Sequence, residues 1–182
     1  MLGLKRGTVE LVPHQTAWEE DAAKTILLLK SILNDVAIDI QHVGSTAIKN
    51  ICAKPIIDIA IGIDHFADLD NYLESLLNIG VYKSSGQPFD DIVLFSRDDD
   101  VGNRINNIQV VIYGSEQWNK HILFRDYMNA HTDKSAEYEK LKVAAAELFP
   151  NDILSYSNYK SVFIADCIDE AKREQRGIHH GS

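Results

Sequence analysis

The stretch that most constrains the fold is PIIDIAIGI, residues 55–63. Apolar residues fill almost every position, so the stretch lacks the alternation of a strand that has one face in water. It is typical of a central strand buried on both faces. Asp58 is the single ionisable residue in it. Since a buried carboxylate is costly unless it is paired, hydrogen-bonded or holding a cation, we interpret Asp58 as a candidate site residue.

The order of the remaining elements predicts an α+β fold. Apolar residues recur at helical spacing from Trp18 to Leu33, after a capping box of Thr16 and Glu19, and again from Phe66 to Leu77. Alternating segments predict further strands, and the last third of the chain predicts helices. VELVPHQ is a short β-like opening, and the expected strands are AIDIQHV, DIVLFSR and INNIQVVIYG. The expected late helices cover about 115–131, 133–149 and 155–176. The expected architecture is a small mixed β-sheet covered by helices, with a helical C-terminal part.

Length and composition favour a single domain. The 182 residues are 45% hydrophobic, which is enough for one core, and we assign residues 1–176 to one domain and residues 177–182 to a disordered tail or a cloning remnant. Cys52 and Cys167 have neither metal-ligand spacing nor a disulfide framework. The start of the chain lacks a signal-peptide pattern, and its apolar runs are too short for a membrane span. We therefore expect a cytoplasmic protein.

The net charge limits the partners. A formal charge of −9 opposes nonspecific binding to nucleic acid or to an anionic membrane. A locally basic pocket for a small phosphorylated ligand or a nucleotide is compatible with it. A protein partner is compatible with it as well.

One such pocket is predicted upstream of Asp58, in the stretch HVGSTAIKNICAKP. Gly44 lets the backbone approach a ligand closely, Ser45 and Thr46 supply hydroxyl groups, and a short helix expected after them would present free N–H groups. Lys54 can offset phosphate charge. Asp58 follows Ser45 after twelve intervening residues. The alternative is purely structural: the hydroxyl groups cap a helix and the carboxylate accepts hydrogen bonds from loop amides.

Several motifs resemble the GrpB family. HVGST, AKPIID, WNKHILFRDYMNAH and YEKLK occur in that order, and the resemblance extends from about Val9 to Lys172. It implies the nucleotidyltransferase-like fold shared with polymerase beta and kanamycin nucleotidyltransferase. Relatives in this family occur fused to dephospho-coenzyme A kinase, which implies a context of adenine nucleotides or coenzyme A.

The resemblance also implies roles, and here the chain departs from the fold's pattern. That pattern is a Gly-Ser turn, then an acid-x-acid pair on a strand, then a third acid on a later strand. Gly44 and Ser45 match the turn and Asp58 matches the first acid, which would be the catalytic residue and a magnesium ligand. The second and third positions hold Ala60 and Gln109. With these substitutions the site would hold at best one weakly bound Mg²⁺ through water and substrate phosphates. A carboxylate from elsewhere is a further option; the candidates are Asp64, Asp90 and Asp91.

Polar and basic residues later in the chain complete the predicted pocket. Asn107 and Gln109 alternate with apolar residues, so they share one strand face and are expected to form a polar wall. Family resemblance implies that Arg125 and Lys142 face the pocket, where they would bind phosphate, and Lys160 is a weaker candidate of the same kind. The alternative for each is a solvated helix charge.

The sequence is compatible with three alternative functions. The first is a divergent nucleotidyltransferase. The second is a module that binds a nucleotide or phosphorylated ligand without transferring a group. The third is a protein-interaction module that keeps the fold.

Overall fold

A computed structural model describes residues 2–84 and 91–179, and in this part of the chain five strands form one mixed sheet of order β1-β2-β5-β4-β3. β2 and β5 are parallel and central, and the other neighbouring pairs are antiparallel. The strands are β1 (Ala37–Val43), β2 (Ile57–Ile63), β3 (Val81–Lys83), β4 (Val93–Asp98) and β5 (Arg104–Ile112). The helices are α1 (Ala17–Leu33), α2 (Leu73–Asn78), α3 (Glu116–Ala130), α4 (Thr132–Leu148) and α5 (Ile153–His179), and two 3-10 segments cover Ser45–Ala47 and Phe66–Tyr72.

The two faces of the sheet have different roles. The odd-numbered residues of β2, from Ile57 to Ile63, lie in the main core under α1 and α2. The even-numbered residues of β2 project to the other face, where Ala60 packs with Trp118 of α3. α3, α4 and α5 form the second layer around a core of their own, which includes Tyr138 and Cys167. Asp58 therefore projects toward the helical layer, and the site lies between the sheet and these helices.

The structure confirms the expected α+β architecture. The predicted first helix, the central strand and the antiparallel β4–β5 pair are all present, as are the three late helices. β3 was not predicted, since it has only three residues. α5 is described as far as His179, past the expected domain end at residue 176, and the rest of the expected tail lies outside the described residues. Among the described helices, none is both long and apolar enough to cross a membrane.

Three local predictions differ in detail from the structure. The expected second helix begins as a 3-10 segment, Phe66–Tyr72, and becomes α-helical only over Leu73–Asn78. VELVPHQ forms an isolated bridge, in which Val12 pairs with Ala53, because Pro13 has no N–H to continue a ladder. Thr16 already has helical backbone angles and makes no side-chain cap.

Candidate functional site

The turn after β1 lies directly on the carboxylate of Asp58. Gly44 has φ 70° and ψ −167°, a conformation that essentially only glycine adopts. A Cβ at Gly44 would lie 2.3 Å from Asp58 Oδ2. The expected helix is a single 3-10 turn, Ser45–Ala47, which is too short to contribute a helix dipole. Positive charge at the site therefore comes from side chains.

The two hydroxyl groups of the turn differ in their partners. Ser45 Oγ lies 3.4 Å from the hydroxyl of Tyr138 and stays partly exposed. Thr46 is buried, and its Oγ1 is 2.9 Å from Nε2 of His42. Ser45 is thus the hydroxyl with access to a ligand, while Thr46 fixes the turn to β1.

A chain of polar contacts fixes Asp58 from the opposite side. Asn107, its register partner on β5, donates from Nδ2 to Asp58 Oδ1 at 3.0 Å. Asn107 Oδ1 accepts from Arg104 Nη1 at 3.1 Å, and Arg104 Nε donates to Asp98 Oδ1 at 2.8 Å. Burial raises the pKa of Asp58, although the bond from Asn107 and the charge of Lys54 oppose the shift. The carboxylate is held in one orientation.

Two lysines lie over the ring of one tyrosine, Tyr156, beside Asp58. Nζ of Lys160 lies 4.0 Å from the ring centroid of Tyr156, and Nζ of Lys54 lies 5.4 Å from the same centroid. Burial, then the charges of Lys54 and Lys142, lowers the pKa of Lys160 to about 7, and burial also lowers the pKa of Lys54. Among the described residues, neither ammonium group has a hydrogen bond or a close ion pair. The charge of Asp58 acts on both lysines, so one carboxylate stands against two ammonium groups.

Lys142, unlike Lys54 and Lys160, donates a hydrogen bond within the described part of the protein. Its side chain is fully buried, Nζ donates to the carbonyl oxygen of Cys52, and the ammonium lies 4.9 Å from the ring centroid of Tyr138. Burial lowers its pKa to about 8. Lys142 therefore connects α4 to the segment before β2. Its charge also acts on the neighbouring Lys160.

An open cleft of about 210 Å³ leads to this group of residues. Lys54 and Asn107 line it, and Asn107 connects it to Asp58 by a hydrogen bond. Lys5, Arg6 and Arg104 add three more cationic side chains, of which the two arginines pair with Asp98. The cleft is therefore basic and open to solvent.

Two predicted residues lie away from this group. Arg125 donates from Nη1 to the side-chain oxygen of Gln41 and to the carbonyl of His42, at 2.8 and 3.0 Å, so it connects α3 to β1. Gln109 is the register partner of Ala60, one strand step further along the sheet than the Asp58–Asn107 pair. The residue directly across from Asp58 is Asn107.

The donor set does not fit a two-metal centre. Within residues 2–84 and 91–179, no group of three His, Cys, Asp or Glu side chains could hold a metal ion. Asp64 is exposed after the far end of β2, roughly 20 Å along the strand from Asp58. Asp91 accepts from Gln117 near the start of α3. The idea that either supplies a missing carboxylate was wrong, and Asp90 lies outside the described residues.

The sequence did not predict that Tyr156 belongs to the site, or that Lys5 and Arg6 near the N-terminus line the cleft. The Tyr156–Lys160 spacing of four residues on one helix is a signal that could have identified the tyrosine. For Lys5 and Arg6 the sequence carries no such signal, because only tertiary packing brings them to β5.

Two half-buried histidines, His42 on β1 and His121 on α3, predict loss of stability in acid. Burial lowers the pKa of His42 and of His121 from 6.5 to about 4, and Nε2 of His121 has no partner among the described residues. The unfolded chain therefore takes up protons first as the pH falls from 6.5 to 4, and the free energy of unfolding decreases in that window. We expect urea unfolding to show this loss between pH 7.5 and 5, and His121→Leu to reduce it. Replacing the exposed His65 with Asn is the control; an equal loss in His121→Leu would exclude His121 as a cause.

The fold defines a class of architecture. A mixed five-stranded sheet covered by helices is the nucleotidyltransferase-like fold. A structure of Cid1 poly(U) polymerase with Mg 3'-dATP bound has the same fold, at a TM-score of 0.51 and 15% identity over 82% of this chain and 49% of that chain.

The chain belongs to the GrpB family, whose model, described as GrpB protein, matches residues 8–170. It is 41% identical over 173 residues to the glutamate-rich protein GrpB of Alkalihalophilus pseudofirmus, covering 93% of this chain and 99% of that protein. The crystal structure of the conserved protein GrpB from Enterococcus faecalis superposes with a TM-score of 0.83 at 24% identity, over 91% of this chain and 99% of that chain.

Proposed function

We propose that the chain binds a nucleotide or another phosphorylated ligand in a lysine pocket, which we define as Gly44, Ser45, Lys54, Asp58 and Lys160. The observation that carries the proposal is the pair of ammonium groups on the ring of Tyr156. Holding two positive charges together at a partly buried place is unfavourable unless an anion offsets them. A phosphate group is an anion of suitable charge and size.

The local charge supports a small anion as ligand. The chain has a net charge of −9, yet the cleft beside the pocket is lined by four cationic side chains. A basic cleft on an acidic protein attracts a small polyanion while the rest of the surface repels nucleic acid. A lysine with a lowered pKa that lines a cleft, as Lys54 does, is also typical of functional sites.

The turn and the fold support a nucleotide as the phosphorylated ligand. Gly44 allows close approach of a phosphate to the backbone, and Ser45 Oγ offers a hydrogen bond. The cleft extends the pocket by about 210 Å³ and gives room for further groups of the ligand. The nucleotidyltransferase-like fold, present in Cid1 with Mg 3'-dATP bound, favours the same class.

Between binding and group transfer, the site favours binding. Two-metal phosphoryl transfer needs several carboxylates around a pair of cations. Asp58 has Asn107 across from it, and Ala60 and Gln109 fill the other two acid positions. We therefore propose a ligand-binding protein and treat a divergent transferase as the second candidate, carried by Asp58 and the turn.

Thermal unfolding with a panel of ligands tests the proposal. The panel is ATP, ADP, UTP, coenzyme A and inorganic triphosphate, each with and without magnesium. A ligand at about 100 times its Kd adds roughly 2.7 kcal/mol, which raises the Tm by roughly 5–10 °C for a chain of this length. We expect Lys54→Gln to reduce that shift to less than half, since it removes one of the two charges.

Lys140→Gln is the matched control, because Lys140 is exposed on the neighbouring helix α4 and carries the same charge. It should leave the shift unchanged. An equal reduction in both variants would indicate nonspecific attraction. No shift with any ligand would contradict the proposal and favour a protein-interaction module.

A further inference from the structure

We propose that Asp58 is the counter-ion of Lys54 and Lys160 rather than a metal ligand, and that the lysine pocket selects phosphate groups that are free of magnesium. This inference rests on the proposed function and specifies the form of the ligand.

Each oxygen of the Asp58 carboxylate has a close protein neighbour, although the residue as a whole is only half-buried. Oδ1 accepts from Asn107 Nδ2 at 3.0 Å, and Asn107 is itself held by Arg104. Oδ2 lies against Gly44, so close that a Cβ there would be 2.3 Å away. Mg²⁺ demands near-octahedral coordination by oxygens and usually keeps several waters. The packing around Oδ2 leaves little room for such a shell.

The surrounding charges also oppose a divalent cation. Asp58 is the carboxylate that interacts with both Lys54 and Lys160. A divalent cation bound at Asp58 would stand beside these two ammonium groups and be repelled by each. A metal-free phosphate, by contrast, adds negative charge where positive charge is in excess. A magnesium-bound phosphate brings less negative charge and gains less from the lysines.

This arrangement makes Asp58 a competitor of the ligand. The carboxylate and a bound phosphate attract the same ammonium groups, and they repel each other. Removing the charge of Asp58 should therefore strengthen phosphate binding. For a metal-ligating aspartate the same change has the opposite effect.

Asp58→Asn separates the two roles. The amide keeps the size of the side chain and an oxygen that can accept from Asn107. The experiment is isothermal titration calorimetry with inorganic pyrophosphate and with ADP, in EDTA and in excess magnesium, at pH 6.5, below the pKa of about 7 of Lys160. We expect wild type to bind at least as tightly in EDTA as in magnesium. We expect Asp58→Asn to bind roughly three- to tenfold more tightly in EDTA, from the loss of one nearby like charge. Asp64→Asn, with the same charge change after the far end of β2, should stay within twofold of wild type.

Asn107→Asp provides a second variant in case Asp58→Asn does not fold. It places a second carboxylate across from Asp58, so we expect binding in EDTA to weaken about tenfold, in the direction opposite to that of Asp58→Asn. Circular dichroism verifies that each variant is folded.

The outcomes are distinct. Wild-type binding that requires magnesium, or weakening by more than threefold in folded Asp58→Asn, would overturn the inference while leaving a phosphorylated ligand in place. If wild type binds neither pyrophosphate nor ADP in either condition, the proposed function fails together with the inference.

Discussion

Gly44→Ala is expected to lower the free energy of unfolding by about 3–5 kcal/mol, a large fraction of the roughly 5–15 kcal/mol that stabilises an ordinary domain. Two costs combine. The backbone at φ 70° and ψ −167° is in a region that costs a residue with a Cβ roughly 1–3 kcal/mol. The new methyl group would also lie 2.3 Å from Asp58 Oδ2, so the carboxylate or the turn must move.

Gly102→Ala separates these two costs. Gly102 also has a positive φ, 85°, in the turn between β4 and β5, and a Cβ there would meet nothing within 4 Å. We expect it to cost about 1 kcal/mol, the backbone part alone. Urea unfolding of both variants gives the difference between them. A loss in Gly44→Ala no larger than in Gly102→Ala would mean that the turn does not pack on Asp58 as described.

Lys160→Met is expected to weaken binding of the phosphorylated ligand roughly 10–100-fold and at the same time to raise the Tm of the ligand-free protein. A charge-assisted contact to phosphate contributes about 1.5–3 kcal/mol, which gives that loss in affinity. The methionine removes an ammonium whose pKa is lowered to about 7 by burial and by the neighbouring Lys54 and Lys142. Replacing such a charge with an apolar side chain of similar length is neutral or stabilising, and we expect a gain of about 2–4 °C.

Opposite effects on affinity and stability distinguish a functional lysine from a structural one. Calorimetric titration at pH 7 measures the affinity, and a thermal scan without ligand measures the Tm. Lys140→Met, at an exposed position of α4, should change neither. If Lys160→Met instead lowers the Tm and keeps the affinity within threefold, Lys160 stabilises the fold and does not bind the ligand.

Lys142 illustrates how far prediction from the sequence extends. YEKLK contains two lysines two residues apart, and the family resemblance favours Lys142 for the pocket. The structure shows Lys140 exposed and Lys142 fully buried, with Nζ on the carbonyl of Cys52. Ninety positions separate those two residues, and no local pattern indicates that they meet. Whether any of the predicted residues binds a ligand stays a prediction until the titrations are made.

The sequence by itself determined the central strand, the exceptional position of Asp58 and the glycine turn upstream. These features depend on periodicity over a few residues and on the conformational freedom of glycine, so they can be predicted locally. Only the tertiary structure decided which side chains surround the carboxylate. It turns Arg125 toward Gln41 on β1, places Lys54 and Lys160 on one tyrosine ring, and brings the N-terminal turn to β5. The physical reason is that these contacts join elements far apart in the chain, and their geometry follows from the packing of the helical layer on the sheet.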